Sequence, residues 1–182
     1  IEATATDAAG NVSPAGSTSI TKDAAAPAVP TIVTPIATDD IVSGAEQTDV
    51  LVEGTAEPGS VVSVTITDGA NNSVTQKVSG TADTGGNWSL SGDEVDLSSL
   101  ADGPITVAVT AVDPAGNVSP AATATVTKDA TAPTAPTFDS PIEGDDFVNE
   151  SEQTDVLVSG SAEPNSVVDV TYTDGANKTV TA

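Results

Sequence analysis

Val61-Val62-Ser63-Val64-Thr65-Ile66-Thr67 alternates at every step, with Val62, Val64 and Ile66 facing one way and Ser63, Thr65 and Thr67 the other. Such period-two alternation, rich in β-branched residues, is the mark of a strand with one face in a core and one in water. The same pattern returns further on, where Ile105, Val107, Val109 and Ala111 alternate with Thr106, Ala108 and Thr110. No stretch shows a helical period. Turn-forming Gly, Pro, Asn and Asp punctuate the chain every eight to twelve residues or so. Seven strands are predicted: A (Thr31–Ile36), B (Val50–Gly54), C (Val61–Thr67), D (Ser73–Val78), E (Asn87–Ser91), F (Ile105–Val112) and G (Ala122–Thr127). Seven short strands in about 100 residues is the count of an immunoglobulin-like sandwich. Trp88 is the expected large core residue.

The chain also repeats itself. Shifted by 106 residues, Asp7–Ala15 (DAAGNVSPA) falls on Asp113–Ala121 (DPAGNVSPA), and Thr21–Pro27 (TKDAAAP) on Thr127–Pro133 (TKDATAP). Without a gap, Glu46 then falls on Glu152, Ala56 on Ala162 and Thr67 on Thr173; of the 182 − 106 = 76 aligned positions, 46 are identical. That period suits one small domain per repeat rather than a solenoid unit. The predicted organisation is the last strands of one repeat (residues 1–22), a complete repeat (23–128) and the first half of another (129–182). The chain is thus expected to be all-β: tandem seven-stranded Greek-key sandwiches, cut as a window from a longer repetitive protein. An alternative is that the open half-repeats complement neighbouring copies in a filament.

Composition narrows the chemistry. There are 27 acidic residues against four Lys/Arg, a formal net charge of −23, and no His or Cys. Imidazole and thiolate metal sites, His-based triads, Cys nucleophiles and disulfides are therefore excluded. With no clustered acid/base pair shielded by aromatics, an enzyme is not expected. The Gly92–Ser99 loop (GDEVDLSS) is read as solvated. The charge argues against nucleic acid and anionic membranes as partners and for cations. Membrane insertion is not expected, since no apolar run of about 18 residues occurs. Six Asn-x-Ser/Thr sequons, beginning at Asn11, Asn71, Asn87, Asn117, Asn149 and Asn177, are read as turn composition.

Seven alternating strands would gather the BC, DE and FG turns at one pole, together with the incoming linker. Those segments carry Glu57, Asp83, Asp113, Asn117 and Asp23. So many carboxylates repel one another unless a cation lies among them, and an all-oxygen set suits Ca²⁺. The equivalent candidates in the flanking repeats are Asp7 and Asn11 on one side and Asp129 and Glu163 on the other. At the opposite pole, Asp39, Asp40 and Asp68, repeated as Asp145, Asp146 and Asp174, are further candidates. For Asp39, Asp68 and Asp83 a turn-forming role weighs more heavily. No EF-hand loop and no glycine-rich calcium nonapeptide is present.

With its 106-residue repeat, its DxAGNVSP turn, its KDxxAP linker and its AEP[GN]SVV turn, the chain resembles the bacterial Ig-like repeats of giant type-I-secreted, RTX-type Gram-negative surface adhesins. The resemblance implies an extracellular, cell-surface location and a role as an extender that projects distal binding domains in adhesion and biofilm formation. It also implies neighbouring repeats as partners and Ca²⁺ at the junctions, held by Asp23, Glu57, Asp113, Asn117, Asp129 and Glu163. A direct binder of carbohydrate or another surface would call for an unbroken Thr array, and Ala108 interrupts the one on the strand of Thr106 and Thr110.

Overall fold

The structure is a computed structural model that describes residues 1–78 and 81–181. It divides into two compact units, Ile1–Ala130 and Thr131–Ala182. Residues 1–18 of the first unit carry a small antiparallel pair, β1 (Glu2–Ala3) with β2 (Gly16–Ser17). Seven strands then build the sandwich: β3 (Ile41–Ser43), β4 (Glu53–Thr55), β5 (Val61–Thr67), β6 (Ser73–Lys77), β7 (Asn87–Ser89), β8 (Gly103–Val112) and β9 (Ala122–Asp129).

Five of these form one sheet in the order β3-β9-β8-β5-β6, and β4 pairs with β7 in the opposing layer. The alternation of the sequence decides the faces. Val62, Val64 and Ile66 of β5 and Ile105, Val107, Val109 and Ala111 of β8 are buried, while Ser63, Thr65, Thr106 and Thr110 are not. Across the core stand Val50, Val52, Trp88, Leu90, Val95 and Leu97. The core is aliphatic apart from Trp88, which is 4% exposed and whose indole Nε1 has no hydrogen-bond partner among the described residues.

The expected strand A is divided. The Thr31 and Val33 N–H groups donate to the carbonyls of Thr55 and Glu53 at 2.7 and 2.9 Å, so this stretch lies along β4. At Pro35 the ladder stops, since proline has no N–H to contribute. A single turn at Ile36–Thr38 follows, with the Ile36 N–H capped by Asp40 Oδ1 at 2.8 Å. The chain then enters the other sheet as β3, running parallel to β9 with Ile41 opposite Thr127. Strand C is observed as expected, and the remaining differences are of one to three residues at strand ends.

The second unit has two small antiparallel pairs, β10 (Thr137–Phe138) with β11 (Gly160–Ser161), and β12 (Thr171–Thr173) with β13 (Thr179–Thr181). It repeats the local devices of the first. Ile142 N–H donates to Asp146 Oδ1 at 2.8 Å, as Ile36 does to Asp40. Gly160 faces the Thr137 carbonyl as Gly54 faces that of Thr31.

Candidate metal sites and the turns that carry them

Strand register brings the three acidic turns of the first unit to one pole. Val61 pairs with Val112, so the turn before β5 (residues 56–60) and the turn after β8 (residues 113–117) lie side by side. The Ala56 N–H donates to the Gly86 carbonyl at 2.7 Å and Gly59 to that of Ala82 at 2.9 Å, tying the first of these to the turn before β7. Glu57, Asp83, Asp113 and Asn117 thus share an end. The chain enters beside Thr55 at Thr31, eight residues after Asp23.

What the carboxylates do there is set by local geometry. Asp113 Oδ1 accepts the N–H groups of Ala115 and Asn117, each at 2.9 Å, and its Oδ2 accepts the Asn117 side-chain amide at 2.8 Å. Gly116 supplies the left-handed residue, with φ +89°. The same clamp recurs at Asp7 with Asn11, at Asp83 with Asn87 and at Asp68 with Asn72. At Asp174 the backbone half is kept, from Ala176 and Lys178, with Lys178 standing where the others have Asn. In all five, D-x-x-[GN]-[NK] closes a turn whose fourth residue has positive φ. Hydrogen bonds to the ionised form hold these carboxyls below the usual range, chiefly the Asn side-chain amide at Asp7, Asp83 and Asp113. Asp68 is pushed lowest, to about 2, chiefly by a further bond from the Ala101 N–H at 3.0 Å.

Four other candidates also bond to their own turns. Asp39 accepts from the Ile41 N–H and Asp145 from that of Phe147, while Asp40 and Asp146 cap the turns already described. The linker and turn residues are less engaged. Asp23 accepts one N–H, from Ala25 at 3.1 Å, and the exposed Glu57 carboxylate has no hydrogen bond among the described residues. In the second unit Glu163 accepts the Thr134 N–H at 3.3 Å. Asp129 is exposed and ends β9, opposite Ser43. Among the described residues, no three acidic side chains gather into a group that could hold a metal ion. The donor set suits a hard cation in type, with Asp23 and Glu57 keeping the most unengaged oxygen. A cation at Asp113 would share oxygens already used by the turn.

One pair went unanticipated. Lys128 is 4% exposed on the inward side of β9, and its Nζ lies 2.7 Å from Asp102 Oδ1. The signal was present in the strand, because Lys128 continues the inward phase of Ala124 and Val126. On the outer face of the same sheet, hydroxyl residues align in a row, Ser73–Thr67–Thr106–Thr125, and Ala108 interrupts the next, Thr75–Thr65–Ala108–Thr123. No helix among the described residues is long and apolar enough to cross a membrane.

Fold and turns together define an immunoglobulin-like sandwich built without disulfides. Residues 37–130, more than half of the chain, match the model of the bacterial Ig-like domain family, and the chain belongs to that family. Among solved structures it is similar to a tetra-tandem repeat in the extending region of a large adhesion protein, with 32% identity over 100% of this chain and 43% of that one (TM-score 0.44). It is also similar to a Ca²⁺-stabilised adhesin that helps an Antarctic bacterium reach out and bind ice, with 27% identity over 100% of this chain and 54% of the other (TM-score 0.46). A third is a 1.5-MDa bacterial ice-binding adhesin, 26% identical over 98% of this chain and 57% of the other (TM-score 0.45). The chain spans about half the length of these solved chains. No curated protein matches it.

Proposed function

We propose that the chain is a non-catalytic extender segment of a large bacterial surface adhesin, made of repeats bounded near residues 22/23 and 128/129, whose junctions are stiffened by calcium. The observation that carries this reading is the gapless 106-residue repetition of a bacterial Ig-like domain, with 46 of 182 − 106 = 76 positions identical. Near-identical copies in series suit the setting of length, whereas a binder needs one good copy. The role as an adhesin segment on the cell surface is supported by the motifs that resemble such repeats, and neighbouring repeats of the same chain are then its partners.

Calcium is supported by the charge of −23 and by the carboxylates of Asp23 and Glu57, and of Asp129 and Glu163 in the next copy. Bound there, the ion supplies positive charge and a cross-link between linker and domain. The residues themselves do the rest: the Asp113–Asn117 clamp holds its turn in shape beside the Glu57 turn, and the acidic surface keeps the array soluble. The test is length. Chains of two, four and eight repeats, imaged by electron microscopy in millimolar calcium, should lengthen by the same increment for each added repeat. Coiled or globular particles whose length saturates would overturn the extender reading.

A further inference from the structure

We infer that Asp102 and Lys128 form a metal-independent clamp that fixes the base of the linker leaving the complete repeat, so that the chain is free to bend only beyond Ala130. The inference rests on the geometry of the first unit alone and stands whether or not calcium binds.

Lys128 occupies an inward-facing position near the end of β9, where Val126 before it is core. A buried ammonium requires a carboxylate, and Asp102 provides it at 2.7 Å. The same Oδ1 accepts the Ala130 N–H at 3.2 Å, one residue past the end of β9. One oxygen therefore holds two residues of the departing chain. Asp102 is itself held in place. Its neighbour Ala101 donates to Asp68 Oδ2 at 3.0 Å, and Gly103 pairs with Lys128 at the start of β8. The charged groups around the clamp are thus Lys128, Asp68 through Ala101, and the exposed Asp129.

The other flank is closed by β3. Ser43 stands opposite Asp129, and Gly44 lies so close to Ala130 that an added Cβ would sit 3.1 Å from its carbonyl oxygen. Residues 128–130 are gripped from both sides. Residues 131–136, Thr-Ala-Pro-Thr-Ala-Pro, are exposed and belong to no strand. Pro133 and Pro136, with no N–H, add nothing to a ladder there. Stiffness at the exit of a repeat then belongs to the domain, and any calcium acts on the far side of the linker.

Amide exchange on the full chain in chelator tests this. The Ala130 amide should be protected in the unsubstituted chain, and Asp102→Ala should speed its exchange about tenfold, the loss expected for one hydrogen bond. The Val107 and Val109 amides in the core should not change. Should Asp102→Ala fail to fold, Asp102→Asn keeps an acceptor without the charge, and a smaller acceleration confined to residues 128–130 is expected. An unprotected Ala130 amide, protection that appears only with calcium, or exchange at Ala130 unchanged in the variant that folds would overturn the clamp.

Discussion

An aspartate followed four residues later by an asparagine does the same work at four turns of this chain. The carboxylate takes two backbone N–H groups and the amide, so the turn is capped from within. Asp68 extends this by holding the Ala101 N–H, 33 residues away, and is 5% exposed. Its carboxyl, ordinarily at 3.8, is lowered to about 2 in the fold. A group whose pKa is depressed on folding adds stability above its unfolded value and loses that contribution as pH falls through the folded value. The Asp68 contribution should therefore be whole above about pH 4 and gone below about pH 2. Asp68→Asn should lower the urea midpoint at pH 7, and its gap to the unsubstituted chain should close between those values. A gap constant from pH 7 to pH 2 would contradict this account of Asp68. Gly54 makes a second residue-scale test. A Cβ there would fall on the Thr31 carbonyl oxygen and lie 2.9 Å from Trp88 Cζ2, whereas at Gly69 it would meet nothing within 4 Å. Gly54→Ala should cost about 1–3 kcal/mol or more by overpacking, and Gly69→Ala no more than about 0.5 kcal/mol, read from denaturant unfolding.

Strands β5 and β8 were legible in the sequence because each has one apolar and one hydroxyl face, and burial follows those faces residue by residue. Strand β3 was not legible. Ile41, Val42 and Ser43 are too few to show a period, and their place beside β9 is a tertiary fact. The poles were legible as acidic loops sharing an end, since strand alternation alone decides that. Which groups the carboxylates bond to was not, because the composition of DPAGN does not show that its own N–H groups reach Oδ1. The recurrence of that spacing at residues 68–72 and 83–87, inside a single repeat, was the available clue. Between the layers, Trp88 on β7 is the one aromatic in the core cluster. Trp88→Ala should therefore cost about 3–5 kcal/mol, as for large core aromatics generally. The exposed Thr125→Ala on β9 should stay within about 0.5 kcal/mol. Equal losses at the two sites by urea unfolding would refute the assignment of faces.

At the scale of the whole chain, the small aliphatic core works against a charge of −23. Self-repulsion of that kind weakens the compact state, and a cation that binds only the native state adds RT ln(1 + [L]/Kd), about 2.7 kcal/mol per site at 100 Kd. Asp23 and Asp129 lie at linkers while Glu57 and Glu163 lie in the domains that follow them. An ion shared by such a pair would remove a hinge as well as add stability. The most direct measurement is small-angle X-ray scattering of a four-repeat chain, with melting recorded in parallel, in millimolar calcium, in chelator, and with every linker aspartate of the Asp129 type changed to alanine. The account predicts a longer maximum dimension and a higher Tm in calcium, with both gains lost in chelator and in the variant. The same dimension and Tm in all three states would contradict it and leave the linker carboxylates as turn formers.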